Sequence, residues 1–201
     1  MNRKINLFGA SGHAKVVMDV IRAQGDHVGA LFDDAPHCSE IHGVPVFRSG
    51  ELPVEGPLII SIGSCRIRKI IAERYPLEFA SAIHPSAIIS PSASIGAGSV
   101  VMPGVIINAD AAIGRHCIIN TRASIDHECL IGDFVHIAPG VILSGDVKVG
   151  ELSWIGVGAC VKQGIRIGHN CLIGAGAVVV DDIPDDSVAF GNPCRVVRRN
   201  G

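Results

Sequence analysis

The sequence predicts a small α/β region followed by a parallel β-helix of hexapeptide repeats. Three observations carry this reading. From Ile83 to Val179 an Ile, Val or Leu returns every six residues without a gap. Residues 1–80 lack that rhythm and alternate strand-like with helix-like segments. Hydrophobic residues make up 48% of the chain but aromatics only 4%, so the core must be built from small and branched aliphatics, as in a solenoid of thin layers.

In the front region, "KINLFGASGHAKVVMDVIRAQG" reads as a strand, a glycine turn and a helix whose apolar face carries Val16, Val17, Val20 and Ile21. "HVGALF" is a second strand running into Asp33-Asp34, "GPLIISIGS" a third, and "RIRKIIAERY" a second helix. The order βαβ…βα predicts a small parallel sheet of Rossmann type. Gly9-Ala10-Ser11-Gly12-His13 falls at the strand-to-helix junction, where the free N–H groups of a helix start suit a diphosphate. Asp33 follows Gly12 by 21 residues, where an acidic side chain meets a ribose in dinucleotide-binding folds. The full G-x-G-x-x-G spacing is absent, and a tight structural turn beside an acidic loop accounts for the same residues.

In residues 81–201 the anchors run Ile83, Ile89, Ile95, Val101 and onward to Val179, seventeen in all. Four residues after each of the first sixteen anchors comes a small or medium residue, with Ile165 the large exception. A period of six is the hexapeptide signature of a parallel β-helix. Three hexapeptides make one triangular coil, so residues about 18 apart share a wall, and the stretch holds five coils and a little more. No anchor is skipped, so no long loop is expected to interrupt the prism. Glycine follows many anchors, as at Gly96, Gly114 and Gly132, and reads as the residue of the sharp turn. Cys117, Cys129 and Cys171 occupy the small inward slot as buried apolar residues.

Net charge is −2, from 17 basic and 19 acidic residues, so no strong field draws in nucleic acid. The stretch Phe79–Ala109 lacks Asp, Glu, Lys and Arg but is broken by Ser, Gly and Pro, which argues against a membrane span. Seven cysteines, an odd number, without a Cys-x-x-Cys pair or a secretion signal point to reduced thiols in the cytoplasm. His84, His116, His127, His136 and His169 include no pair separated by 18 or 36, so no wall gathers histidines for zinc and no metal is expected.

One corner interrupts the aliphatic rhythm. His127 and Glu128 lie two and three residues past anchor Ile125, at an outward corner, with Asp126 on the other side of the histidine. A carboxylate beside imidazole raises its basicity and fixes its tautomer. Amide formation from an amine and a thioester needs such a base. Either Asp126 or Glu128 can serve as the carboxylate. Gly145 lies 18 residues beyond His127, on the same wall one coil later, where its N–H suits an oxyanion. His136 lies half a coil from His127 and leaves the prism on a different side, so only two neighbouring chains bring the pair to a shared groove. Trp154, 18 residues beyond His136, stacks on the wall of His136, to cover a ligand or to pack a neighbouring chain.

The repeat, with the ending Asp182-Ile183-Pro184 and Gly191-Asn192-Pro193, resembles the left-handed β-helix acyltransferases, with Cys194 in place of their usual Ala. Together with Gly9 to His13, Asp33-Asp34, "SIGS" followed by "IRK", and "NTRASIDHE", the whole chain resembles the bacterial nucleotide-sugar N-acetyltransferases, including bacillosamine-pathway and sialic-acid O-acetyltransferase-like members. The resemblance implies a homotrimer with acetyl-CoA between neighbouring prisms and a nucleotide-linked 4-amino sugar as acceptor, UDP-linked by the resemblance with dTDP and GDP left open, for surface glycan or glycoprotein synthesis. It implies that Ser11, Gly12, His13, Asp33, Asp34 and Gly63 hold the nucleotide sugar. His127 is the implied base and Glu128 the residue that raises its basicity. His136 is an implied acetyl-CoA contact, as are Val157 and Ala175 through backbone groups; Arg195, Arg198 and Arg199 either meet CoA phosphates or form a solvated tail. A sugar O-acetyltransferase and a non-catalytic solenoid are the competing readings.

Overall fold

The computed structural model describes residues 2–52 and 56–201. The front region holds β1 (Lys4–Phe8), α1 (Gly12–Ala23), β2 (His27–Asp33), β3 (Glu40–Ile41), β4 (Val44–Arg48), β5 (Leu58–Ile60) and α2 (Cys65–Arg74). The sheet order is β3-β4-β2-β1-β5. β1 pairs in parallel with β2 and β5, and β2 with β4. This is the parallel sheet that the βαβ pattern predicts. The alternation of each strand feeds two cores: Ile5, Leu7 and Leu31 pack with α1, while Phe8, Phe32 and Ile60 pack with Ile71 of α2.

Two details differ from the sequence reading. The buried face of α1 is Ala14, Val17, Met18, Val20 and Ile21, and Val16 is exposed. Successive residues of a helix point 100° apart, so Val16 cannot share the stripe of Val17 and Ile21. The β3–β4 hairpin was not expected. His42 and Gly43, with φ of 49° and 80°, form a two-residue link with both residues in the left-handed region that such hairpins demand. The dipeptide His-Gly between Ile41 and Val44 is the signal that marks it.

From Ala82 onward the chain winds through seventeen two-residue strands, each carrying one anchor. They stack into three parallel walls with partners 18 residues apart. The first wall carries Ile83, Val101, Ile119, Ile137, Ile155 and Ile173, and is extended by the strands Ser187–Phe190 and Arg195–Arg199. The second carries Ile89 through Val179 in six strands; the third carries Ile95 through Ile167 in five. Anchors and small slots fill the interior: Val101, Ile119, Cys117, Cys129 and Ala123 are wholly buried. Burial pushes the Cys117 thiol up to about 12. No long loop breaks the prism, and among the described residues no helix is long and apolar enough to cross a membrane.

The glycines after the anchors have a different role from the one expected. Gly96, Gly114 and Gly132 do not have positive φ. A Cβ on Gly96 or Gly132 would lie 2.6 Å from the backbone of the next coil. They permit coils to stack closely at one corner. The left-handed turn falls two residues later, where Gly98 and Gly104 alternate with Asp110, His116, Arg122 and Glu128 at positive φ.

The front region sits on the first wall. Leu58 bridges to Phe79, the Ile83 N–H donates to Gln24 Oε1 (2.8 Å), and Lys69 of α2 pairs with Glu151 at 2.5 Å. Phe79 meets the His116 ring edge-on at 4.5 Å, and His116 stacks on Phe134 at 5.0 Å.

Candidate functional site

The His127 corner is built by the turn itself. Glu128 has a φ of 61°, and its N–H is held by the Ala109 carbonyl one coil back. That conformation brings Glu128 Oε2 to 3.0 Å from His127 Nδ1. A carboxylate only accepts, so Nδ1 carries a hydrogen, and in the neutral ring Nε2 is the acceptor. Asp126 turns elsewhere: its Oδ1 accepts from Asn108 Nδ2 at 2.9 Å and from the His127 N–H at 2.8 Å. These bonds, the Asn108 amide first, hold its carboxyl below the usual range. Of the two carboxylates left open by sequence, Glu128 is the one that meets the ring. Gly145 lies directly under that ring. A Cβ there would fall 2.5 Å from His127 Nε2. The Gly145 N–H has no backbone acceptor among the described residues.

The glycine turn opens a second site. Ala10, Ser11, Gly12 and Lys15 line a cleft of about 310 Å³, closed on its far side by Cys38, Glu40, Ile41 and His42. Ser11 is the N-cap of α1 and makes no side-chain cap bond, so the helix start is open to a ligand. Lys15 and Glu40 are cleft residues that the sequence reading did not name. Asp33 accepts from the Ala10 N–H (2.8 Å) and the Ala35 N–H (2.9 Å), one on each oxygen. It therefore shapes the turn as well as facing it. Asp34 accepts from Ser49 Oγ at 2.6 Å and pairs with Arg74 at 3.2 Å; the Ser49 bond, then burial opposed by Arg74, leaves its carboxyl below the ordinary value.

His13 and Gly63 stand apart from that cleft and join His136. The expectation of an open groove wall at His136 does not describe this chain. His136 is only 5% exposed, its Nδ1 donates to the Gly63 carbonyl at 3.3 Å, and Asn120 Nδ2 lies 3.1 Å from Nε2. Its ring centre is 4.1 Å from Trp154 and 6.5 Å from His13. The loop after β5 covers it, which a periodic pattern on the prism cannot reveal. Burial, then the Arg68 charge, pushes His136 down to about 3 and His13 down to about 4, so both rings are neutral. Val157 and Ala175 are exposed one coil apart, at the corner between the first and second walls. His127 and Gly145 occupy the corner between the second and third. The second wall separates the two corners within one chain.

A left-handed β-helix with a carboxylate-supported imidazole on its corner, joined to a Rossmann-like region with an open helix start, defines an acetyltransferase of the hexapeptide-repeat class. Residues 4–75 match the PglD N-terminal domain. An aligned stretch spanning 48% of this chain is 39% identical to UDP-N-acetylbacillosamine N-acetyltransferase of Bacillus subtilis (strain 168), of which it covers 50%. Perosamine N-acetyltransferase PerB from Caulobacter crescentus, crystallised with CoA and GDP-perosamine, is 40% identical over 97% of both chains, with a TM-score of 0.92. The acetyltransferase domain of PglB from Neisseria gonorrhoeae FA1090, crystallised with acetyl coenzyme A, is 39% identical over 98% of this chain and 100% of that one, with a TM-score of 0.91. The chain belongs to the family of nucleotide-sugar N-acetyltransferases, which use acetyl-CoA.

Proposed function

We propose that the protein transfers the acetyl group of acetyl-CoA to the 4-amino group of a UDP-linked amino sugar in the cytoplasm, for surface glycan or glycoprotein synthesis. The observation that carries this is the His127 ring, tied to Glu128 through Nδ1 and presenting Nε2 above Gly145. The sugar amine enters neutral and attacks the thioester carbonyl. As the C–N bond forms, Nε2 takes the amine proton, and Glu128 stabilises the resulting imidazolium through Nδ1–H. The Gly145 N–H stabilises the developing oxyanion. Collapse breaks the C–S bond, and the CoA thiolate leaves with the proton from His127. Ser11, Gly12, Asp33 and Asp34 hold the nucleotide, with Lys15 beside the diphosphate, while His13 and Gly63 set the floor between cleft and prism. Val157 and Ala175 line the acetyl-CoA side through their backbone, and His136, buried beneath the Gly63 loop, supports the first wall from behind.

The working unit is a homotrimer. Ile106, Ser124, Ile142, Cys160 and Val178 form one column on the second wall. Ile106 and Ile142 are 37% and 50% exposed. An apolar strip of this kind suits a second copy of the chain. Packing there joins the His127 corner of one chain to the Val157 corner of the next, which one chain alone keeps apart.

The test is thiol release from acetyl-CoA against UDP-, dTDP- and GDP-linked 4-amino sugars, with free sialic acid included. Turnover with a UDP-linked amine supports the full reading. GDP-linked turnover alone removes the UDP assignment, and turnover with sialic acid alone replaces N- by O-acetylation.

A further inference from the structure

Arg68 is a buried side chain that the proposed reaction does not use. It lies on the inward face of α2 with Cys65 and Ile71 and is 1% exposed. Among the described residues no carboxylate pairs with it. Its donors go instead to five carbonyl oxygens in three separate segments. Nη1 reaches Ile62 (3.0 Å) and Gly63 (2.6 Å), Nε reaches His116 (3.0 Å), and Nη2 reaches Phe134 (2.7 Å) and Val135 (3.3 Å). Burial lowers its pKa from the ordinary arginine value. A buried cation without an anion is costly, and only the planar fork of arginine satisfies so many acceptors at fixed angles.

The acceptors give this fork its meaning. Ile62 and Gly63 belong to the loop at the C-terminal end of β5. That loop touches the glycine turn: Ser61 Oγ donates to the carbonyls of Phe8 and Gly9, and a Cβ on Gly9 would lie 2.6 Å from Ile62 Cγ1. Gly63 also accepts from His136. His116, Phe134 and Val135 belong to two successive coils of the prism. One side chain therefore ties the loops of the nucleotide cleft to the wall behind the acetyl-transfer corner.

Resting on the proposed acetyl transfer, we propose that Arg68 is a positioning residue that fixes the height of the nucleotide-binding region on the prism, so that the sugar amine arrives at the base. It touches neither substrate. Its loss is expected to lower turnover while leaving each substrate's own binding intact. Trp154 supplies a reporter. It is the single tryptophan of the chain, and its ring lies 4.0 Å from where a Gly63 Cβ would stand.

The experiment compares wild type with Arg68→Met and Arg68→Lys in the full chain. Readouts are circular dichroism, Trp154 emission, calorimetric binding of UDP, GDP and acetyl-CoA, and steady-state kinetics. Because misplacement by about 1 Å costs on the order of 10²-fold in rate, kcat should fall by about tenfold or more, with the dissociation constants changing less than about threefold. Trp154 emission should shift to the red. Arg68→Lys should behave like Arg68→Met, because it keeps the charge but not the fork. A folded variant with kcat within about twofold of wild type overturns the proposal, as does a nucleotide affinity that falls in step with kcat. If Arg68→Met does not fold, Arg68→Lys decides by the same readouts. If wild type acetylates no nucleotide-linked amine, the proposed reaction fails by itself; an unshifted Trp154 emission in the variants then still overturns the clamp.

Discussion

Replacing Gly145 by Ala should move the proposed base, His127, without removing it. An added Cβ would fall 2.5 Å from His127 Nε2, against 3.4–4 Å for ordinary van der Waals contact. The ring must withdraw by about 1 Å, and misplacement of that size costs on the order of 10²-fold in rate. The backbone at Gly145 does not have positive φ, so Ala is accommodated without strain. His127 is about half exposed and can yield. The fold should therefore survive, and reduced freedom of the unfolded chain should offset part of any lost contact. Stability should change by less than about 1 kcal/mol. The assay is steady-state thiol release with thermal melts on the same preparations. The expected result is kcat lower by about 10–100-fold, about 1.4–2.7 kcal/mol of barrier, with both KM values within about threefold. A folded Gly145→Ala protein with wild-type kcat would refute the placement of the base over this glycine.

Other expectations share the same frame. His127→Ala should lower kcat by about 10²–10⁴ with both KM values little changed, and Glu128→Ala should cost less because it only tunes the ring; folded His127→Ala with over a tenth of wild-type kcat removes the base assignment. Gly12→Val should raise the sugar-nucleotide KM far more than the acetyl-CoA KM; parallel rises in the two would count against the cleft at the start of α1. His136, His116 and His13 titrate at about 3, about 4 and about 4 when folded, against 6.5 when free. The unfolded chain then binds more protons below pH 6.5, so stability should decline as pH falls from about 6.5 towards 4; a flat melting temperature across that window contradicts the neutral buried rings. Ile142→Glu should dissociate the proposed trimer and abolish turnover together, read by sedimentation and thiol release; a trimer that persists would place its interface elsewhere.

Periodicity made most of the prism legible. Anchors every six residues fixed which residues point inward and which share a wall, so the vertical pairing of His127 with Gly145 and of His136 with Trp154 followed from a spacing of 18. What covers a wall is a non-local fact, and the sequence carries no count for it. His136 was therefore expected in a groove and lies instead beneath the Gly63 loop. Arg68 was missed for the same reason, although its place between Cys65 and Ile71 on one helical stripe was a readable anomaly. The glycines after the anchors were visible, but a sequence does not distinguish a residue that bends the chain from one that lets a neighbouring coil approach.

The fastening of the front region across several coils turns the prism into a ruler. Its points of attachment run from Ile83 through His116, Phe134 and Glu151 to Asn170. Each coil adds about 4.8 Å of height, the spacing between paired strands. A solenoid by itself gains or loses whole coils at little structural cost, since each layer touches only its neighbours. Here an extra 18-residue turn between Ile83 and Asn170 would break the fastening or carry the cleft at the start of α1 about 4.8 Å out of step with the His127 corner. A turn that keeps the front region in step with the His127 corner can therefore be added only beyond Asn170.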